Sequence, residues 1–147
     1  MTTLITLPEA FALIRTTLEQ AWGSTTALRF INETVSPPLD DLGRPLPFVL
    51  LDYGDISDGP ITIGSPGDNV YLDEGTFELH VMVPSGEGDV RALGLCEQLR
   101  GIFRGQDLGG VICAGAMVTQ GDNAAGVGLG NYWRRSVIVE FWLFATG

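Results

Sequence analysis

The sequence predicts an α+β fold: a mainly antiparallel sheet with about two helices packed on one face and long loop arms. Three observations predict this class. Several strand-like runs alternate apolar and polar residues, two segments repeat apolar residues with helical period, and long stretches rich in glycine and proline separate them. At 147 residues the chain is expected to form one domain, covering residues 1–147.

The first element is a predicted helix over Leu7–Trp22. Thr6 and Glu9 have the spacing of a capping box, which satisfies amides that lack helical partners. Gly23 is expected to end the helix. The short alternating run Ala27–Ile31 then predicts a strand.

Two long polar connections, Asn32–Pro47 and Gly54–Asn69, flank a strand-like run at Phe48–Tyr53. Their prolines and glycines predict irregular structure. Loops of this length are uncommon inside a compact domain unless they serve a function. We therefore expect both to form arms that reach a neighbouring subunit.

The central unit, Thr76–Gly105, predicts a strand, a tight turn and a helix. Alternation in Thr76–Val83 indicates a sheet with one dry face. Ser85 or Asp89 is expected to cap the helix, and Gly105 to adopt a left-handed conformation after its end. The apolar residues that we expect to face the sheet are Ala92, Leu95, Cys96, Leu99, Ile102 and Phe103.

The C-terminal part predicts two more strands, Gly110–Thr119 and Asn131–Ala145, joined by the flexible connection Gln120–Gly130. The last strand is apolar on both faces near its end, which indicates a central position with helices on one side. We expect a partner subunit to cover its other side.

Charge is unevenly distributed along the chain, whose formal net charge is −10. Residues 33–89 contain twelve carboxylates and one arginine. A conventional nucleic-acid binder needs a basic surface to neutralise phosphates, so this balance argues against one. Two explanations stay open: an acidic face that keeps the protein soluble, or a surface that meets a basic partner.

Neither a membrane segment nor a secretory signal is expected. No run approaches the ~20 consecutive apolar residues that span a bilayer. The first residues lack the basic start and apolar core of a signal peptide. We therefore expect folding in a cytosol.

The sequence predicts no catalytic residues, no cofactor and no metal site. His80 is the only histidine, and a nucleophilic pair would require it to meet Cys96 or Cys113, which both lie in apolar patterns. The glycines of residues 126–130 precede a strand rather than a helix, unlike a phosphate-binding loop. The acidic run at residues 52–59 lacks the spacing of a calcium loop.

Candidate functional residues instead belong to an interface. Arginine, tryptophan and tyrosine dominate interface hot spots, and a basic helix face can meet acidic loops of the next subunit in a head-to-tail ring. For the paired arginines of the last strand, the alternative is that one faces out and one pairs with a carboxylate across the sheet. The candidate residues are Arg100, Arg104, Tyr132, Trp133, Arg134, Arg135, Asp52, Asp55 and Asp58.

The order of these parts resembles the small tail terminator (tail completion) proteins of long-tailed bacteriophages and related gene transfer agents. The likeness covers most of the chain. It includes an opening helix, the segment FINETVSPP before the strand FVLLDYG, the turn VPSGEG, the helix end LRGIFRG and the final strand NYWRRSVIVEFWLF.

This resemblance implies a structural virion protein rather than an enzyme. Its copies would form a ring, expected to be a homo-hexamer, that caps the tail tube protein, ends tube polymerisation and provides a surface for the head–tail connector protein. DNA would pass through without specific binding. The expected location is the head-proximal end of the virion tail, after assembly in the bacterial host cytoplasm and away from membranes.

Two alternatives stay open. The nearer is another ring of the same particle, such as a head–tail joining protein or a tail tube subunit. The more distant is a small acidic ligand-binding domain or enzyme, which a deep apolar pocket with convergent polar groups would favour.

Overall fold

The computed structural model describes residues 3–34 and 36–147. Met1, Thr2 and Val35, which belong to the chain start and to the FINETVSPP segment, lie outside the described residues. The expected α+β class is confirmed. The elements in chain order are α1 (Leu7–Trp22), β1 (Ala27–Phe30), β2 (Phe48–Pro60), β3 (Val70–Pro84), α2 (Val90–Phe103), β4 (Ile112–Val118), β5 (Asp122–Asn123), a 3₁₀-helix (Ala124–Val127) and β6 (Tyr132–Thr146).

The strands form one sheet in the order β1-β2-β3-β6-β4, and β5 pairs with the start of β6. β1 is parallel to β2, whereas the other pairings are antiparallel. β6 lies between β3 and β4, so its predicted central position is confirmed. β3 and β6 pair over their whole lengths, from Val70 opposite Thr146 to Pro84 opposite Tyr132.

Both helices pack on one face of the sheet, which we call the covered face. The dry side of β3 predicted from alternation lies here and is fully buried. The Phe77 ring meets Phe103 of α2 edge-on, with 5.0 Å between ring centroids. α1 contributes a stripe of four buried residues at helical spacing: Ala10, Ile14, Leu18 and Trp22.

The ends of α1 are those that the sequence predicts. The Glu9 amide donates to the Thr6 hydroxyl oxygen at 3.4 Å, and that hydroxyl donates to the Glu9 carboxylate at 2.9 Å. Gly23 follows with φ +58°, and its amide donates to the Glu19 carbonyl. Local capping chemistry therefore determines both ends of this helix.

The start of α2 differs from the expectation. Asp89 occupies the N-cap position, but its carboxylate makes no capping hydrogen bond, because β6 side chains bind it instead, as described below. Gly105 does adopt a left-handed conformation, with φ +72°.

The prediction of a loop over Gly54–Asn69 is wrong for its first half, which belongs to strand β2. β2 continues to Pro60 and forms a long hairpin with β3, leaving only residues 61–69 as the connection. β1 pairs only with the first four residues of β2, Phe48 to Leu51, so the remainder of β2 is a sheet edge. Glycine and proline are tolerated in edge strands, which is why a loop-like sequence can form this strand.

A β-bulge between Tyr53 and Ile56 interrupts the β2–β3 pairing. We call the part of the hairpin beyond it, residues 54–75, the arm. The expected flexible connection Gln120–Gly130 is also partly ordered, because it contains β5 and the 3₁₀-helix.

The opposite side of the sheet, which we call the open face, carries no helix. A small apolar cluster covers one end of it: Phe48, Met82, Ala124 and Tyr132. Beyond that cluster, alternate residues of β2, β3, β4 and β6 share this face. They are mostly polar or half-buried and include Asp52, Glu78, His80, Met117, Arg134, Ser136, Ile138 and Glu140.

Candidate functional site

The arm is acidic along its sides and apolar at its tip. Residues 54–75 contain five carboxylates and no arginine or lysine. Asp58 and Asp73 lie directly opposite each other, and burial, followed by the facing Asp58 carboxylate, raises the pKa of Asp73. At the tip, Ile61 and Ile63 are 54% and 106% exposed. The predicted residues Asp55 and Asp58 therefore belong to the arm, in which β3 also pairs with the end of β6. Asp52 lies on the open face at the base of the arm.

The basic surface at the end of α2 is smaller than the sequence predicts. Arg100 donates through Nε to the Ala116 carbonyl at 3.0 Å and through a terminal nitrogen to Glu97 at 3.0 Å. Arg104, one residue past the last helical position, is exposed and makes no ion pair with the residues that the structure describes. Arg104 is therefore the residue of this pair that is available to a partner.

All four predicted residues at the start of β6 make side-chain contacts within the chain. Tyr132 is fully buried, and its hydroxyl donates to the Leu46 carbonyl at 3.0 Å. Trp133 donates through Nε1 to the Asp89 carboxylate at 2.7 Å, and Arg135 donates to the same carboxylate through Nε at 2.8 Å. These contacts attach the turn before α2 to the sheet.

The hydrogen bonds from Arg135, and then the one from Trp133, hold the pKa of Asp89 below its usual range. Arg134, the neighbour of Arg135, points to the other side of the strand, as alternation requires. There it pairs with Asp122 of β5 at 2.7 Å. Both arginines thus have carboxylate partners, one on each side of β6.

A compact polar cluster lies on the open face. The His80 ring contacts Ser136 of β6 through Nδ1, with 2.6 Å to the hydroxyl oxygen. Its Nε2 lies 3.3 Å from a Glu78 oxygen and 3.6 Å from an Asp52 oxygen. Only 12% of the His80 side chain is exposed. Burial lowers the pKa of His80, although Glu78 acts in the opposite direction.

Sequence reasoning did not identify this cluster. Strand alternation predicts that residues 78 and 80 share a face. Asp52 and Ser136 join them only through the pairing of β3 with β2 and β6. A register prediction for the hairpin could have identified Asp52.

The cluster has a serine, a histidine and carboxylates in contact, but it does not build an acyl-transfer site. Ser136 is 6% exposed, and its amide donates to the Thr119 hydroxyl at 3.0 Å rather than facing a substrate oxygen. The two cysteines are also unsuited to nucleophilic chemistry. Both are buried, and burial raises the pKa of the Cys96 thiol to about 11 and that of Cys113 to about 12.

Two of the depressions on the open face border predicted or clustered polar residues. One of about 350 Å³ has Glu78, His80 and Ser136 in its lining, together with Arg134 and Asp122. The other, of about 590 Å³, lies where the arm joins the sheet, and its lining includes Asp55, Glu74 and Trp142. Carboxylates outnumber arginines in the lining of both, so a cation or a basic group fits these surfaces better than an anion.

Comparisons with known proteins support the fold alone. The sequence matches no protein-family model and no curated protein. One solved structure is similar over 92% of this chain and 94% of its own length, with a TM-score of 0.54 and 16% sequence identity. None of the described helices combines the length and apolar character needed to cross a bilayer.

Proposed function

We propose that this chain is a structural virion protein of the tail terminator type, whose copies close into a ring on the finished tail tube. The observation that carries the proposal is the arm: the end of the β2–β3 hairpin, flanked by β6, with several carboxylates and an exposed apolar tip. The likeness in the order of parts, from the opening helix to the final strand, adds to it.

The apolar tip of the arm is suited to docking. Ile63 is fully exposed and Ile61 is half exposed, and burying apolar area contributes roughly 25 cal/mol per Å². The connection that carries them is held in shape by its own hydrogen bonds. The Asn69 side-chain Nδ2 donates to the Ser65 carbonyl at 3.2 Å, and the Val70 backbone amide donates to the Thr62 hydroxyl at 2.8 Å. A pre-shaped tip loses less conformational entropy on binding.

The surface that receives the arm belongs, in this proposal, to the next copy of the chain. An acidic arm that meets the α2 end around Arg104 gives a head-to-tail contact, which closes into a ring when the rotation between copies is right. The outer edges of β1 and β4 add pairing surfaces toward the tube subunit.

The ring acts by occupying the growing end of the tube, so no covalent chemistry is needed. Tube subunits can no longer add, and the exposed side of the ring receives the connector protein of the head. Carboxylates around the lumen repel DNA phosphates, which lets DNA pass without binding. A hexamer is the expected assembly.

The test combines the mass of the purified protein across concentration and salt with negative-stain imaging, alone and with polymerising tail tubes. We expect a ring with a central hole, or tubes that stop growing when the protein is added. Replacing both tip residues (Ile61→Ser with Ile63→Ser) should weaken this behaviour. The matched control is Val90→Ser on α2, an apolar residue 83% exposed.

Tube growth that is unchanged by the protein would overturn the terminator proposal. A ring that forms without stopping growth would favour a head–tail joining role instead. If the tip variant and the Val90→Ser control stop tube growth equally well, the apolar tip of the arm is not needed for capping.

A further inference from the structure

Three potential metal ligands converge on the open face from two strands. Asp52 of β2 lies directly opposite Glu78 of β3, and His80 follows two residues later on the same side of β3. One ligand atom from each of the three lies within 4.8 Å of the other two. This is a mixed histidine–carboxylate group, the kind of donor set that borderline divalent metals accept.

The spacing of these atoms fits a single ion. Ligand atoms about 2.0–2.2 Å from a tetrahedral zinc ion lie about 3.4 Å from one another. The His80 Nε2 atom is 3.3 Å from the Glu78 oxygen and 3.6 Å from the Asp52 oxygen. An ion could therefore be accommodated by small side-chain rotations while the strands stay in place.

Ser136 supplies the orientation that such a site requires. A metal-binding histidine usually donates a hydrogen bond from the ring nitrogen that does not bind the metal, and this bond fixes the tautomer and the orientation of the ring. The Ser136 hydroxyl lies 2.6 Å from His80 Nδ1, and Ser136 is buried on the central strand β6. With a proton on Nδ1, the Nε2 lone pair points toward the two carboxylates.

The surrounding charges call for a divalent cation. Asp52 and Glu78 are like charges on directly opposite residues, an arrangement that destabilises a strand pair. Arg134 of β6 and Asp122 of β5 also face the His80 ring, and they pair with each other at 2.7 Å. The three carboxylates (Asp52, Glu78 and Asp122) and one guanidinium leave a local formal charge of −2 beside the His80 ring.

We propose that Asp52, Glu78 and His80 form a binding site for one divalent transition-metal ion of the zinc class. These side chains provide three ligands, and water completes the coordination on the solvent side. Ser136 is a positioning residue that acts through His80. The buried thiols of Cys96 and Cys113 do not compete for the ion. The site is independent of the proposed ring function.

The first test is a zinc titration of the full chain, freed of metal with a chelator, at neutral pH. We expect saturable binding of one ion per chain and a tetrahedral absorption spectrum when cobalt(II) replaces zinc. Glu78→Gln and His80→Gln should lower affinity on the order of tenfold or more, and Ser136→Ala roughly 10- to 100-fold. Asp58→Asn, which removes the same charge from β2 outside the cluster, should bind like the unmodified chain.

The second test needs no variant, because the chain has a single histidine. Nitrogen-15 NMR of the imidazole should report a proton on Nδ1 and a large shift of Nε2 when zinc is added. Imidazole signals that stay unchanged at saturating zinc would overturn the proposal. So would a titration in which His80→Gln and Asp58→Asn bind zinc equally well. A metal-free ring with its proton on Nε2 would instead identify an ordinary hydrogen bond from His80 to Glu78.

Discussion

The two faces of the sheet are built from alternate residues of the same strands, yet they differ in what they do. On the covered face, the part of β3 from Phe77 to Val83 contributes fully buried apolar side chains, whereas on the open face it contributes Glu78 and His80. The first set packs against both helices and supplies the stability of the fold. The second set does not pack against the helices, so we look for binding sites on the open face and on the arm.

The largest expected effect is on the covered face. Phe77→Ala removes a fully buried ring that contacts Phe103 and Phe141, and we expect it to lower the free energy of unfolding by about 3–5 kcal/mol. Urea denaturation followed by circular dichroism measures this loss. A loss below about 1 kcal/mol would mean that the covered face is not the main source of stability.

Gly75 tests how closely the hairpin approaches the covered face. A Cβ at this position would lie 3.0 Å from the Asp55 carbonyl oxygen and 3.2 Å from the Phe141 ring. We expect Gly75→Ala to cost about 1–3 kcal/mol in denaturant unfolding. Gly59→Ala is the control, because a Cβ there meets no atom within 4 Å. Equal stability of the two variants would show that the hairpin base is loosely packed.

Asp89 joins the turn before α2 to β6, and its effect depends on pH. Because its pKa is lowered in the folded chain, its contribution is fully present above its unfolded pKa of about 3.9 and is lost as pH falls through the folded value. Asp89→Asn should therefore lower the melting temperature at pH 7, with a difference that shrinks in strong acid. Asp68→Asn at the exposed arm tip is the control. A difference that stays constant with pH would exclude the ion pair as its cause.

The smallest effect is expected on the open face. Met117 is 59% exposed there, so Met117→Ala should change the free energy of unfolding by no more than about 0.5 kcal/mol. The same denaturant experiment measures it. A loss comparable to that of Phe77→Ala would show that the two faces contribute alike to stability.

Elements determined by local chemistry were predictable from the sequence. The span of α1 follows from the Thr6–Glu9 cap and from Gly23, and the dry side of β3 follows from alternation. The extension of β2 to Pro60 was missed because glycine and proline usually indicate loops. They are tolerated here because β1 pairs only with the start of β2, which leaves the rest of β2 as an edge strand.

The candidate site was predictable only in part, because its contacts join distant positions. Asp89 and Arg135 are 46 residues apart, and His80 and Ser136 are 56 apart. Composition and periodicity contain no information on such pairs. Sequence reasoning therefore identified Arg135 as an interface candidate, whereas its partner in this chain is Asp89.

The bulge at the base of the arm separates the direction of the arm from the strand pairing within it, two properties that usually change together. It places one extra residue in β2, because five steps from Asp52 to Ser57 face four steps from Glu78 to Glu74. Bulges bend a strand and increase its twist. Deleting Gly54 would leave every pairing beyond the bulge intact while straightening the hairpin. The direction of the arm can therefore change while its residues and their strand partners stay the same. In the ring proposed above, deletion of this one residue would change the angle between neighbouring chains and hence the diameter of the central opening.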